Sequence, residues 1–135
     1  MLDLSVIILT YNEEIHIRRC LENVKQFASK VYVVDCFSID RTAQIAKELG
    51  AEVIEHEWPG NQAEQFNWAL DNLPITTEWI LRLDADEYLL PGLIEELLEK
   101  LPVIPESVSA LSLSLARAFC GNCLLYTSDA ADDLI

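Results

Sequence analysis

The chain has 135 residues and 51% of them are hydrophobic, so it is long and apolar enough to bury the core of one folded domain. This apolar content excludes an intrinsically disordered chain. Its 23 acidic residues outnumber its 9 basic residues, and the formal net charge is -14. A net charge of this sign argues against binding to nucleic acid or to anionic membranes through overall electrostatics, so we expect no nucleic-acid partner.

Apolar runs and helical periodicity alternate along the chain. Short β-branched runs predict strands at 4–9, 31–35, 51–57, 77–83 and 109–119. Apolar residues near helical spacing predict helices at 15–28, 42–50, 62–73 and 91–101. Asp40 is placed to cap the second helix, and Gly50 is placed to end it. This alternation predicts an α/β fold with a mostly parallel sheet, flanked by helices and joined by right-handed crossovers.

Polar loops follow three of the predicted strands. TYNEE follows the first strand, DCFSID begins at the end of the second, and DADE follows the fourth. Ligands of parallel sheets bind beyond the carboxyl ends of the strands. We therefore expect the three loops to meet at one edge of the sheet and to form the functional site.

The DADE loop brings Asp84, Asp86 and Glu87 within four residues, where their charges repel one another. A hard cation would remove this repulsion, because Mg²⁺ and Mn²⁺ prefer oxygen ligands and often share them with phosphate groups. The alternative is an ordinary solvated loop, since D-x-D strings are common there. The position of the loop after a buried strand, beside two other polar strand ends, favours the metal site.

Several other side chains leave two interpretations open. Tyr11 is either a ring that stacks on a nucleotide base or a core tyrosine. Asp35 either accepts hydrogen bonds from a base or ribose, or is a helix-capping or turn-forming aspartate. On the third helix, Gln62, Gln65 and Asn67 could reach a phosphate or a sugar, but we interpret them as surface residues. The sequence contains no GxGxxG and no GxxxxGK[ST] motif. It therefore lacks the usual sequence evidence for NAD binding and for a P-loop nucleotide site.

The cysteines and the first residues bear on the cellular compartment. The four cysteines, Cys20, Cys36, Cys120 and Cys123, include one CxxC pair without a nearby histidine, which is weak evidence for zinc. MLDLSVIIL lacks the basic region of a signal peptide and the length of a transmembrane span. We therefore expect reduced cysteines and a cytoplasmic location.

Four motifs together carry a resemblance to a known family. TYNEE, VVDCFSIDRT, NQAEQFNWALDN and LRLDADEYLLP occur in the order found in family 2 glycosyltransferases of the GT-A fold. The chain most resembles the branch that includes lipopolysaccharide core and other bacterial cell-envelope sugar transferases. The resemblance covers residues 2–119, and four ordered motifs are far more specific than a D-x-D string alone.

The resemblance implies roles for particular residues. Thr10, Tyr11 and Glu13 match the loop around the nucleotide base, and Asp35 matches the acid that contacts the base. Asp84 and Asp86 match the D-x-D motif: the first acid faces the ribose or metal, and the second binds the metal that holds the diphosphate.

The resemblance also implies an activity. Such enzymes use Mn²⁺ or Mg²⁺ to transfer a sugar from a nucleotide diphosphate, here UDP or GDP, to a glycan or glycolipid hydroxyl. The transfer usually inverts the anomeric centre. A location at the inner face of the cell membrane, through peripheral association of the full-length parent, would fit this chemistry.

Two departures from the family pattern limit what we expect of this chain. Phe66 stands where relatives often carry a basic residue that could help with phosphate. The general base lies beyond the D-x-D half in this family, and Glu87 is too closely tied to the metal loop to replace it.

We predict an incomplete nucleotide-sugar-binding domain at 1–120 and a non-native tail at 121–135, whose CLLYTSDAADDL resembles translated sequencing-adapter sequence. Such a piece would expose apolar surface and self-associate.

Three alternatives compete with an active transferase. The first is a nucleotide-binding fragment without catalytic activity. The second is a sugar nucleotidyltransferase, which would need a glycine-rich, basic loop after the first strand, where this chain has TYNEE. The third is a receiver-like Mg²⁺-binding signalling domain, which would need a lysine late in the chain, whereas the last lysine is Lys100.

Overall fold

The computed structural model describes residues 1–108, 110, 114–119 and 122–127. The strands are β1 (Leu2–Thr10), β2 (Ala28–Asp35), β3 (Glu52–Glu55), β4 (Trp79–Asp84), β5 (Ser114–Phe119) and β6 (Asn122–Thr127). The helices are α1 (Ile17–Val24), α2 (Thr42–Glu48), α3 (Gln62–Asn72) and α4 (Pro91–Lys100), and a 3-10 turn at Leu101–Val103 follows α4.

Four strands form one parallel sheet in the order β3-β2-β1-β4. Each parallel neighbour is reached through a helical crossover, as the alternation of elements predicts. β1 lies inside the sheet between β2 and β4, so its backbone is paired on both sides. The predicted α/β fold with a mostly parallel sheet is therefore confirmed.

The sheet is covered by helices on both faces. Val6 and Ile8 of β1 point into a core formed with α1, α2 and α4, while Ile7 points into a second core with α3. All three side chains are fully buried, and each burial contributes about 2 kcal/mol. The continuous apolar run of β1 thus reflects a strand buried on both faces.

The boundary between α1 and β2 differs from the prediction. The helix ends at Val24 rather than at residue 28, and β2 begins at Ala28, three residues before the predicted start. Phe27 is fully buried and its N–H donates to the Val24 carbonyl at 3.2 Å, which closes the helix in a tight turn. Its apolar side chain extends the hydrophobic periodicity that predicts a helix, although Phe27 lies beyond the end of α1.

Helix α2 lies close to its predicted position, but its N-cap residue is Arg41 rather than the predicted Asp40. The Asp40 carboxylate accepts a hydrogen bond from the Thr42 N–H at 2.9 Å, which satisfies a free N–H of the first turn. Gly50 has a φ of +89°, a conformation that a residue with a Cβ rarely adopts.

The last predicted strand, 109–119, is described only in part. Its residues 114–119 form β5, which pairs antiparallel with β6 at Asn122–Thr127. β6 lies within the segment 121–135 that we predict to be non-native. Residues 121 and 128–135 of that segment, and Cys120, lie outside the described residues, so the tail stays a prediction. In the described part of the chain, no helix is long and apolar enough to cross a membrane.

Candidate functional site

The three polar loops meet at the carboxyl edge of the sheet. In the strand register, Thr10 at the end of β1 lies beside Asp35 at the end of β2. On the other side of β1, Leu9 lies beside Asp84 at the end of β4. The parallel arrangement therefore places the candidate nucleotide residues and the D-x-D acids along one edge, as the sequence predicts.

Asp35 is almost fully buried and makes three hydrogen bonds within the chain. Its Oδ1 accepts from the Thr10 hydroxyl at 2.7 Å and from the Ser38 hydroxyl at 2.6 Å. Its Oδ2 accepts from the Ser38 N–H at 2.8 Å. The turn-forming interpretation of Asp35 is confirmed. Because a carboxylate has about four lone-pair positions, one position on Oδ2 is left for a ligand.

Tyr11 lies on the surface of this edge, with 56% of its area exposed, so it is not a core residue. The next residue, Asn12, has a φ of +51° and turns the chain away from β1. Its side-chain oxygen accepts from the Ile39 N–H at 3.0 Å, and its N–H donates to the Ser38 hydroxyl at 2.7 Å. These contacts fasten the loop after β1 to the loop after β2 and hold Tyr11 at the rim.

Glu13 joins the first loop to the acidic loop electrostatically. Its N–H donates to the Thr42 hydroxyl at 2.8 Å, which fixes its backbone at the start of α2. Partial burial raises the pKa of Glu13, and the negative charge of Asp86 raises it further. His16 opposes this shift, whereas Asp84 adds to it. Glu13 therefore lies within the electrostatic field of both D-x-D acids.

The D-x-D loop alternates between the core and the rim. Ala85 is buried in the core under α1 and α4, while Asp86 is exposed and Asp84 is half-buried. A Glu87 carboxylate oxygen accepts from the Asp84 N–H at 2.9 Å, and the Glu87 N–H donates to the Asp84 carbonyl at 2.9 Å. Glu87 thus closes the turn that presents the two aspartates, which is a structural role.

Helix α1 contacts two backbone carbonyl groups of this loop. The Cys20 thiol lies 3.8 Å from the Asp84 carbonyl oxygen. An Arg19 guanidinium nitrogen donates to the Asp86 carbonyl oxygen at 3.3 Å. The guanidinium also lies 4.9 Å from the centre of the Tyr88 ring. The loop backbone is therefore held at successive points by one face of α1, contacts that the sequence alone did not reveal.

The residues present fit a divalent cation that completes its coordination with a ligand. Among the described residues, no three His, Cys, Asp or Glu side chains are arranged to hold a metal by themselves. Mg²⁺ commonly takes only one or two protein carboxylates and fills its remaining positions with water and phosphate oxygens. Asp84 and Asp86 meet that lower requirement, and burial together with the charges of Asp86 and Asp84 raises the pKa of the neighbouring Glu13.

A basic group lies beside Phe66, the residue that departs from the family pattern. The guanidinium carbon of Arg82 is 5.8 Å from the centre of the Phe66 ring, and the same side chain donates to the Gln62 side-chain oxygen at 2.9 Å. Arg82 precedes Asp84 by two residues on β4, so both side chains leave the same face of the sheet.

The interpretation of Gln65 as a surface residue is wrong, since its side chain is 1% exposed.

Comparison with known proteins decides the family. The sequence profile described as Glycosyl transferase family 2 matches residues 5–114. The chain belongs to glycosyl transferase family 2. This confirms the predicted family and enzyme class, while the cell-envelope branch stays a prediction.

Relatives and solved structures agree with this assignment. An uncharacterized glycosyltransferase of Rickettsia typhi is 38% identical over 72% of this chain and 32% of its own length. A mannosyltransferase from Pyrobaculum calidifontis, solved with GDP-Man and Mn²⁺, is 26% identical with a TM-score of 0.56, over 64% of this chain and 28% of that one. Glucosyl-3-phosphoglycerate synthase from M. tuberculosis is 19% identical with a TM-score of 0.64, over 79% and 43%. These structures share the GT-A fold with this chain, which spans about a third of the length of the curated relatives it matches.

Proposed function

We propose that this chain binds the donor of a glycosyltransferase, a nucleoside diphosphate linked to a sugar, together with Mn²⁺ or Mg²⁺. The observation that carries the proposal is the meeting of Glu13, Asp84 and Asp86 beside the Thr10–Asp35 pair at one edge of the sheet. The whole enzyme would transfer the sugar to an acceptor hydroxyl. Membership of family 2 favours this function over the nucleotidyltransferase and receiver-like alternatives.

Each site residue has a role in the proposal. Asp84 and Asp86 would hold the cation, which supplies positive charge to the diphosphate of the donor. Tyr11 would cover the base with its exposed ring, and Thr10 would orient Asp35 so that its remaining lone pair faces the nucleoside. Glu13 would close the site between the nucleoside and the cation.

The nature of the donor follows from the same chemistry. The Pyrobaculum mannosyltransferase was solved with GDP-Man and Mn²⁺, which supports a nucleotide-sugar donor and a divalent cation here. We infer a UDP- or GDP-linked sugar. Arg82 could supply the positive charge near the phosphates that Phe66 cannot, since it lies against that ring and near Asp84.

The finer assignment concerns the whole enzyme. We infer an inverting transfer to a glycan or glycolipid in cell-envelope biosynthesis, carried out in the cytoplasm at the inner face of the membrane. The four ordered sequence motifs support this branch. In this proposal, residues 1–120 form the donor-binding domain and the general base lies outside the residues assigned here, so the chain alone binds donor without transferring sugar.

Ligand-dependent thermal unfolding tests the proposal. A ligand that binds only the folded chain stabilises it by about 2.7 kcal/mol at a concentration one hundred times its Kd. UDP or GDP with Mn²⁺ should therefore raise the unfolding temperature, while each component alone should raise it less. Equal unfolding temperatures with and without nucleotide, in a cooperatively folded sample, would contradict donor binding.

A further inference from the structure

His56 lies at the same edge of the sheet, directly after β3. Its backbone N–H donates to the Asp35 carbonyl oxygen at 2.9 Å, which continues the pairing of β3 with β2 by one residue. The imidazole is half-buried. His56 therefore follows β3, the neighbour of the strand that ends in Asp35, and it lies on the side of β2 away from the D-x-D acids.

A buried glutamine fixes the orientation of this imidazole. The Gln65 Oε1 lies 2.7 Å from Nδ1 of His56, and the Gln65 Nε2 donates to the His56 carbonyl oxygen at 3.4 Å. Because Oε1 can only accept, Nδ1 carries a proton, and the tautomer with its proton on Nδ1 has its lone pair on Nε2. Gln65 is 1% exposed, so burial of its amide depends on these two contacts.

Trp68 holds the ring from one face. The two ring centres are 3.8 Å apart and the ring planes are inclined by 17°. Among the described residues, no buried side-chain nitrogen or oxygen lacks a hydrogen-bond partner. Since Nε2 of His56 has no protein partner there, it must be accessible to solvent. The structure thus presents an oriented, solvent-accessible acceptor on the residue directly after β3.

We propose that His56 binds the nucleoside of the donor, with Nε2 accepting a hydrogen bond from a ribose hydroxyl or a base N–H. This inference rests on the donor-binding function proposed above. β3 and β4 are separated by three strand spacings, about 14 Å, which an extended nucleoside diphosphate can span from the cation at Asp84 and Asp86. The phosphates would then lie near β4 and the nucleoside near Asp35 and His56.

Two substitutions separate this role from a structural one. His56→Asn keeps an N–H at the position of Nδ1, which can still donate to Gln65, but leaves no atom at the position of Nε2. His56→Gln places an amide at the position of Nε2. Calorimetric titrations of wild type and both variants with UDP, GDP and pyrophosphate, each with Mn²⁺, compare the nucleoside with the diphosphate alone. Urea unfolding of each variant reports its folded stability.

We expect His56→Asn to raise the Kd of the nucleotide that wild type binds about fivefold, the loss of one neutral hydrogen bond, and to leave pyrophosphate binding unchanged. His56→Gln should recover part of that loss. An unchanged nucleotide Kd in folded His56→Asn would overturn the inference while leaving the proposed function intact. An equal loss for nucleotide and pyrophosphate would make His56 a structural residue. Failure of wild type to bind either nucleotide would overturn the proposed function, and the inference with it.

Discussion

Asn23 holds both backbone polar groups of Leu89. Its side-chain nitrogen donates to the Leu89 carbonyl at 2.8 Å, and its side-chain oxygen accepts from the Leu89 N–H at 2.7 Å. Leu89 ends the segment that carries the D-x-D acids, and its own side chain is buried in the core. One half-buried amide on α1 therefore anchors the backbone just after the candidate metal loop.

Replacing Asn23 by alanine should destabilise the fold. The change removes two hydrogen bonds and leaves the Leu89 N–H and carbonyl without their partner, so we expect a loss of about 1–3 kcal/mol in the free energy of unfolding. Urea denaturation measures it. Asn72→Ala is the matched control, because Asn72 is exposed and its side chain donates to the Trp68 carbonyl one turn earlier in α3. Equal stabilities of the two variants would show that water replaces both contacts at Leu89.

The raised pKa of Glu13 predicts a pH-dependent stability difference. Burial, followed by the charge of Asp86, raises this pKa above the ordinary value of 4.5, so the folded state binds the proton more tightly than the unfolded state. The stabilisation that comes from protonation of Glu13 is fully present below pH 4.5, and it is lost as the pH rises through the folded-state pKa. Glu13→Gln should therefore be more stable than wild type at pH 7, by less than about 1 kcal/mol, and equal to it at pH 4.

A control separates this local effect from the net charge of -14, since removing any acid relieves general repulsion. Glu99→Gln, on the exposed face of α4, removes one charge far from the D-x-D loop in the sequence. Urea unfolding of the three proteins at both pH values gives the comparison. An advantage of Glu13→Gln that grows as pH falls would contradict the assigned sign.

The Cys20 thiol should be chemically inert in the folded chain. Burial, followed by the charge of Glu87, raises its pKa to about 12, so it holds very little thiolate at neutral pH. Cys36 is half-buried beside Asp35 and should react with iodoacetamide at pH 8 at least about tenfold faster. Peptide mass spectrometry after timed labelling measures both sites separately. Equal labelling rates for Cys20 and Cys36, both in the native protein and in urea, would contradict the burial of Cys20.

We expect the isolated chain to self-associate. In the described part of the chain, β4 is an edge strand of the sheet, and one side of its backbone is available for pairing. Large apolar side chains are exposed after it, with Leu90 53% and Val103 77% exposed. Light scattering across a concentration series should show a molar mass that rises with concentration. A monodisperse monomer at every concentration would contradict this expectation.

The sheet was the part of the fold that sequence reasoning predicted best. The apolar run of β1 and the polar residues after β1, β2 and β4 carry local signals for a buried parallel strand and for a site at its end. The end of α1 was misplaced because Phe27 is buried outside the helix, and hydrophobic periodicity responds to burial rather than to backbone conformation.

The site was predicted in outline but not in its supporting contacts. Asp35 was recognised as a candidate because it ends a strand, yet its bonds to Thr10 and Ser38 determine how much of it a ligand can reach. The bond between Asn23 and Leu89 joins residues 66 positions apart, so no local pattern could indicate it. Gln65 was taken as a surface residue because its only signal is polarity, whereas its burial depends on the position of His56.

Calorimetric titration with UDP and with GDP, in the presence and absence of Mn²⁺, tests the central claim most directly. It should be run on wild type, on Asp86→Asn, and on Asp71→Asn, which makes the same charge change on the exposed face of α3. We predict that one nucleotide binds in an Mn²⁺-dependent manner to wild type and to Asp71→Asn, and that Asp86→Asn loses this dependence. Binding that is equal in all three proteins, or that ignores Mn²⁺, would contradict a metal-assisted donor site at the D-x-D loop.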